Sequence, residues 1–226
     1  MKKVLQLGLV VGMALLCATA MANPNMLVNP GAETGDLTGW DPVLTSAGVD
    51  NGTFDAYINP RTGLYDFVGR TGGTATLVQR VSLLGNGYTS GQIDGGGLTA
   101  LVSFWEQSLD QATDPAGPNP PSPVLNDEAY VKLAFLDGTL SVLSSVSTPG
   151  LNQTGYTWAN FTGMYNIPVG TRYIDYSMEF VRHKGWDLDA FIDDNSLTVP
   201  DKSSFGWVAL LVFALAGSLP IWKKIA

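Results

Sequence analysis

The sequence predicts an all-β sandwich. Short runs alternate apolar and polar residues, turn dipeptides fall between them, and no segment from 23 to 199 shows sustained helical periodicity. Composition agrees: 26 Gly, 13 Pro and only 14% charged residues suit many turns better than long surface helices.

The first 22 residues have the layout of a signal peptide. Lys2 and Lys3 precede an apolar run from Val4 to Leu16, and Ala20-Met21-Ala22 has small-x-small form. Cys17 is the only cysteine, and Leu16 stands before it where a lipobox needs a small residue. Cys17 is therefore expected to leave with the signal, so the mature chain offers no disulfide and no thiolate metal site.

The stretch from Asn29 to Trp40, NPGAETGDLTGW, is too polar for a strand and too Gly-rich for a helix. It is predicted as the loop that enters the sandwich, with Trp40 turned into the core. Strands are predicted over Leu98–Gln107, Ala129–Leu136, Leu140–Val146, Thr157–Ile167, Tyr173–Val181 and Phe191–Val199. Tyr173–Val181 is the clearest, with Ile174, Tyr176, Met178 and Phe180 on one face and Asp175, Ser177 and Glu179 on the other. Asp137-Gly138 marks a tight hairpin. Ser108–Asp127 carries Pro115, Pro118, Pro120, Pro121 and Pro123, so it is predicted as a surface loop, either a mobile insert or a lid. Trp158 and Phe161 are a candidate packing pair.

Phe205–Trp222 has no charge, and Lys223 and Lys224 follow it. As a helix it would be roughly 27 Å long, the thickness of a bilayer core, with the lysines on the cytoplasmic side. The alternative is a buried C-terminal helix. Three parts follow: residues 1–22 as signal peptide, 23–199 as one domain, and 200–226 as a transmembrane sorting signal or anchor. The domain is expected outside the cytoplasm, at the cell surface or beyond it.

Net charge is −8, which argues against nucleic acid as a partner. The chain has one histidine, His183, and no G-x-S-x-G, H-E-x-x-H or phosphate-cradling glycine loop. No catalytic centre is predicted; a glycosidase built on two of the 20 acidic residues is the catalytic alternative.

Met26 to Gly35 with Trp40 resembles the opening of carbohydrate-binding modules of the galactose-binding-like jelly-roll class, and Phe191 to Val199, with its acidic pair, resembles their close. Ser103-Phe104-Trp105 and the stretch from Trp158 to Thr171 also fit that pattern. The resemblance implies a jelly-roll β-sandwich that binds polysaccharide or another glycan. It also implies a structural calcium ion between the opening loop and the last strand, with Glu33 and Asp193 as ligands. The alternative is that Glu33 caps turn amides and Asp193 faces solvent. The run Lys184-Gly185-Trp186 is similar to one in the sugar-binding domain attached to F-box proteins, where the sugar lies on loops at this end; His183 departs from the aromatic residue those relatives carry. The candidate sugar contacts are Trp186, Lys184, His183, Asp187 and the outward-facing Trp105, with core packing as the alternative for Trp186.

Val199-Pro200-Asp201, followed by the apolar run and the two lysines, resembles the PEP-CTERM class of bacterial sorting signals. That resemblance implies an exosortase-like processing enzyme as a partner. A plain membrane anchor is the alternative.

Overall fold

The computed structural model describes residues 24–44, 46–55, 58–111 and 126–200. The expected signal peptide and, but for Pro200, the expected C-terminal segment lie outside them. Among the described residues no helix is long and apolar enough to cross a membrane.

Two five-stranded antiparallel sheets face each other. In chain order the elements are β1 (Asp41–Leu44), β2 (Gly48–Asp50), β3 (Asp66–Thr71), β4 (Thr74–Ser82), α1 (Ser90–Asp94), β5 (Thr99–Ser108), β6 (Glu128–Leu136), β7 (Val142–Ser147), β8 (Ala159–Asn166), β9 (Tyr173–Val181) and β10 (Asp187–Thr198). The first sheet has the order β1-β4-β9-β6-β7 and the second β2-β3-β10-β5-β8. Among the described residues the short helix α1, with a capping box between Thr89 and Gln92, is the one helical departure from the all-β prediction.

Period-two alternation builds the core. Ile174, Tyr176, Met178 and Phe180 of β9 are fully buried, and they meet Leu77 and Val81 of β4, Val131 and Leu133 of β6, and Val102 and Phe104 of β5. Trp40 is buried among them, edge-on to Phe67 and Tyr176, and its indole N–H donates to the Asn29 carbonyl at 3.0 Å. The opening loop is thus pinned to the core by its last residue. Trp158 and Phe161 do not pair. Phe161 tilts against Phe104, while Trp158 joins a small apolar cluster with Ile58, Val68 and Phe191 on the outer face of the second sheet.

Entry and exit of the domain are neighbours. Met26 N donates to the Leu197 carbonyl at 2.9 Å, and Asn195 N donates to the Pro30 carbonyl at 3.1 Å. A bulge between Asp193 and Ser196 shifts the phase of β10, with Asp194 in the left-handed region at φ 49°. Asp193 therefore projects from the outer face, whereas Asn195 turns inward and accepts from the buried Tyr176 hydroxyl at 2.9 Å.

Candidate functional site

Two groups of polar residues stand out, one at the turn between β9 and β10 and one across the outer face of the second sheet. At the turn, Gly185 sits at φ 78°, a conformation that favours glycine, and the next residue, Trp186, is 71% exposed. His183 and Asp187 are also exposed, and His183 Nε2 lies 3.5 Å from Glu128 Oε1.

A buried carboxylate holds this turn. Asp127 Oδ1 accepts from the amides of His183 at 2.7 Å and Lys184 at 3.2 Å, and Oδ2 accepts from the Asp189 amide at 2.9 Å. Gln111 Nε2 donates to Asp189 Oδ2 at 3.1 Å and, at 3.5 Å, to Asp127 Oδ2. Both ends of the turn are therefore fixed to one side chain. Lys184, expected to face a sugar, is buried instead, and its ammonium donates to the Gln111 carbonyl. A lysine can be buried here because its charge meets polar oxygen rather than hydrocarbon. Asp189 is buried beside it.

Trp105 is not brought to this turn. It lies opposite Asp193 on β10, six residues beyond Asp187, roughly 20 Å along the strand. Its ring faces outward as expected, but the Arg61 guanidinium carbon stands 3.7 Å from the ring centroid. That face stacks on a cation rather than on open solvent.

Burial pushes several carboxyls up. Asp189 and Glu106 each rise to about 7, and Asp127 rises despite the amides that favour its charged form. Glu106 Oε1 accepts from the Ser108 hydroxyl at 2.6 Å and Oε2 from the Gln153 amide at 2.9 Å. A glycosidase sets two carboxyls across an open cleft. These three are enclosed and committed to protein donors, so they do not form such a pair.

The second group is a row of carboxyls. Asp50, Asp66 and Asp193 occupy neighbouring register positions on β2, β3 and β10: Asp50 pairs with Asp66, and Ile192 with Phe67 places Asp193 beside Asp66. All three are buried. Asp50 accepts from the amides of Gly52, Thr53 and Phe54. Asp193 accepts from the amides of Arg61 at 2.9 Å and Thr62 at 3.1 Å, and also from Asp194 N. Glu33 accepts from the amides of Leu64 at 2.9 Å and Tyr65 at 3.3 Å. The two expected ligands, Glu33 and Asp193, are thus tied to one five-residue segment, 61–65. Opening loop and last strand also press together: a Cβ on Gly31 would lie 3.0 Å from Asp193 Oδ1.

Asp66 differs from the others. It is fully buried, and among the described residues neither of its carboxyl oxygens has a hydrogen-bond partner. Burial first, then the charges of Asp50, Asp193 and Glu33, push it up to about 9. Like charges opposite one another across strands repel, and a buried acceptor without a donor is costly. Among the described residues no three His, Cys, Asp or Glu side chains already stand in metal-ligand arrangement. The donor set is nonetheless all oxygen and strongly acidic, which suits a hard cation. Sequence reasoning singled out Glu33 and Asp193 but did not name Asp50, Asp66 or Asp127. The signal for Asp50 and Asp66 exists only once β2 and β3 are paired.

No family model matches the chain, and no curated protein matches it. Among solved structures it is similar to the enzymatically active domain of tailspike protein 4 from bacteriophage CBA120, at 14% identity over 77% of this chain with a TM-score of 0.51. The chain spans only 21% of that protein's length. It is similar as well to a cyclase from Fischerella sp. TAU, at 13% identity, covering 80% of this chain and 97% of the cyclase, with a TM-score of 0.50. The structural neighbours include carbohydrate-binding modules, among them TmCBM61 in complex with β-1,4-galactotriose, at 23% identity over 77% of this chain and 98% of that one and a TM-score of 0.48. At these identities the tailspike and the cyclase establish the shared fold, a sandwich of two antiparallel sheets.

Proposed function

We propose that the domain is a non-catalytic polysaccharide-binding module, secreted and displayed at the cell surface by its C-terminal segment, with Trp186 as the platform on which a sugar ring stacks. The observation that supports this is the state of Trp186: an indole 71% exposed, on a turn whose amides are fixed by a buried carboxylate. A rigid aromatic face loses little entropy on meeting the apolar face of a sugar, and His183 and Asp187 supply polar groups at its side. The test is affinity electrophoresis of the full chain through gels containing neutral polysaccharides, a β-1,4-galactan and a xylan among them. The wild type is retarded by at least one, and Trp186→Ala migrates as in a blank gel with an unchanged melting temperature. A folded wild type that no glycan retards would leave the other reading, a matrix protein without a sugar site.

We also infer that calcium binds between the opening loop and β10, held by Glu33 and Asp193 as the resemblance implies, with Asp66 as a third carboxylate. The unpartnered Asp66 supports the fit. Calcium would supply the positive charge that four neighbouring acidic groups lack, completing its shell with loop carbonyls. Chelation is expected to lower the melting temperature of the full chain, by roughly 5 °C or more for a few kcal/mol of linkage. An unchanged melting temperature would refute it.

A further inference from the structure

Between Asp137 and Arg172 the chain contains no charged residue and no histidine, although 14% of the whole sequence is charged. This stretch contains β7, the segment that crosses from one sheet to the other, and β8. β7 ends the first sheet and β8 ends the second. Because β4 packs over β3 and β6 over β10, those two ends lie on the same flank of the sandwich. One whole flank is therefore built from uncharged chain. Charges stand near the two ends of β7: Asp137 Oδ1 accepts from Ser141 N at 3.0 Å, and a Cβ on Gly150 would lie 2.5 Å from Glu128 Oε2; Lys132 of β6, opposite Ser147, is exposed on the face of the sheet.

An open strand edge invites pairing, and proteins usually blunt it. The opposite flank is blunted. β1 is four residues long and contains Pro42, which has no N–H, and β2 is three residues long, with its Val49 carbonyl capped by the Arg70 guanidinium. β7 is longer, has no proline and, among the described residues, no side chain capping its outer edge; its one irregularity is Leu143, an extra residue in the register with β6, and Ser144–Ser147 pair regularly. It runs Val142-Leu143-Ser144-Ser145-Val146-Ser147, exposed everywhere but at Val146. Val142, Leu143 and the adjacent Val169 are exposed apolar side chains beside that edge. Thr148 N donates to the Val131 carbonyl at 2.8 Å, so the alternation of an antiparallel ladder turns the N–H groups of Ser147 and Ser145 away from β6.

We propose that β7 is the surface through which two copies of this chain associate, pairing antiparallel about a two-fold axis centred on Ser145. Charge selects the occupant. At −8, two copies repel wherever their charged surfaces meet, and the uncharged flank is where they approach at least cost. A basic partner would gain nothing there. The register centred on Ser145 is self-complementary, as a two-fold contact requires: Ser145 faces its own copy, with N–H and carbonyl exchanging reciprocal bonds, and Ser144 faces Val146, all within the regularly paired part of β7. The first sheet then runs continuously through both copies.

Sedimentation velocity of the full chain in mild detergent tests this, on the wild type and on Ser145→Lys, a change at an exposed position that sets two ammonium groups against each other across the axis. The wild type is expected to dimerise increasingly with concentration. The variant, with an unchanged melting temperature, should self-associate at least about tenfold more weakly. Amide exchange at Ser145 and Ser147 should slow as wild-type concentration rises. A wild type that stays monomeric, or a variant that dimerises equally well through β8 or the C-terminal segment, would overturn the proposal.

Discussion

At the β9–β10 turn, the buried Asp127 carboxylate accepts from three backbone amides and from Gln111; in the row across β2, β3 and β10, the equally buried Asp66 carboxyl accepts from none of the described residues. Both positions cost desolvation. Only the first recovers it from the protein's own donors. Asp127 is therefore a finished joint that shapes a turn, whereas Asp66 needs either a proton or a cation from outside. The two ends of one sandwich thus use the same side chain for opposite purposes.

Neutralising each carboxyl should separate these roles with opposite signs. In chelator at pH 7, Asp127→Ala strands three amides, those of Lys184 and Asp189 buried and that of His183 partly so, and is expected to lose roughly 3 to 5 kcal/mol of stability. Asp66→Asn under the same conditions removes a group that burial, and then three neighbouring carboxyl groups, force to take up a proton on folding. It is expected to gain roughly 1 to 3 kcal/mol, the relief being reduced by an amide that is itself buried. Urea titration of the two variants measures both. If Asp66→Asn destabilises the chelated protein as Asp127→Ala does, then Asp66 has a structural partner and the contrast fails.

Much of the fold was legible because six strands carry their burial pattern in sequence. The predicted bounds of Tyr173–Val181 are those of β9, and those predicted for the other five strands overlap β5, β6, β7, β8 and β10. The first four strands escaped for physical reasons. β3 buries Phe67 in the main core and Val68 under the segment before it, so its two faces do not alternate in polarity. β4 turns Gln79 inward, where its amide bonds both the N–H and the carbonyl of Val28, a partner 51 residues away that no local pattern reveals. The site followed the same rule. Trp186 stood out as a residue type in a run, but Lys184 beside it reads identically in sequence and turns inward toward Gln111. Asp127 was hidden at the end of a proline-rich stretch read as a surface loop, although both described ends of that stretch, Gln111 and Asp127, are buried.

A smaller effect sharpens the comparison through pH. Glu106 faces inward at the Trp186 end, and burial raises it to about 7 from 4.5 even though Ser108 and Gln153 donate to it. Because the folded state holds this proton more tightly than the unfolded chain, folding takes up a proton between those two values. Stability attributable to Glu106 is therefore fully present below about pH 4.5, falls as pH rises toward 7, and is lost above it. The change is roughly 3 kcal/mol at about 1.4 kcal/mol per pH unit. Glu106→Gln keeps the shape: its carbonyl can accept from Gln153 N, and its amide can donate to the Ser108 oxygen, whose own hydroxyl donates to the Asp127 carbonyl. The variant should gain on the wild type steadily from pH 4.5 to 8 in urea midpoints taken at each pH. Parallel curves would mean that Glu106 is already ionised in the folded protein, with its charge carried by Ser108 and Gln153 as fully as Asp127's is carried by its amides.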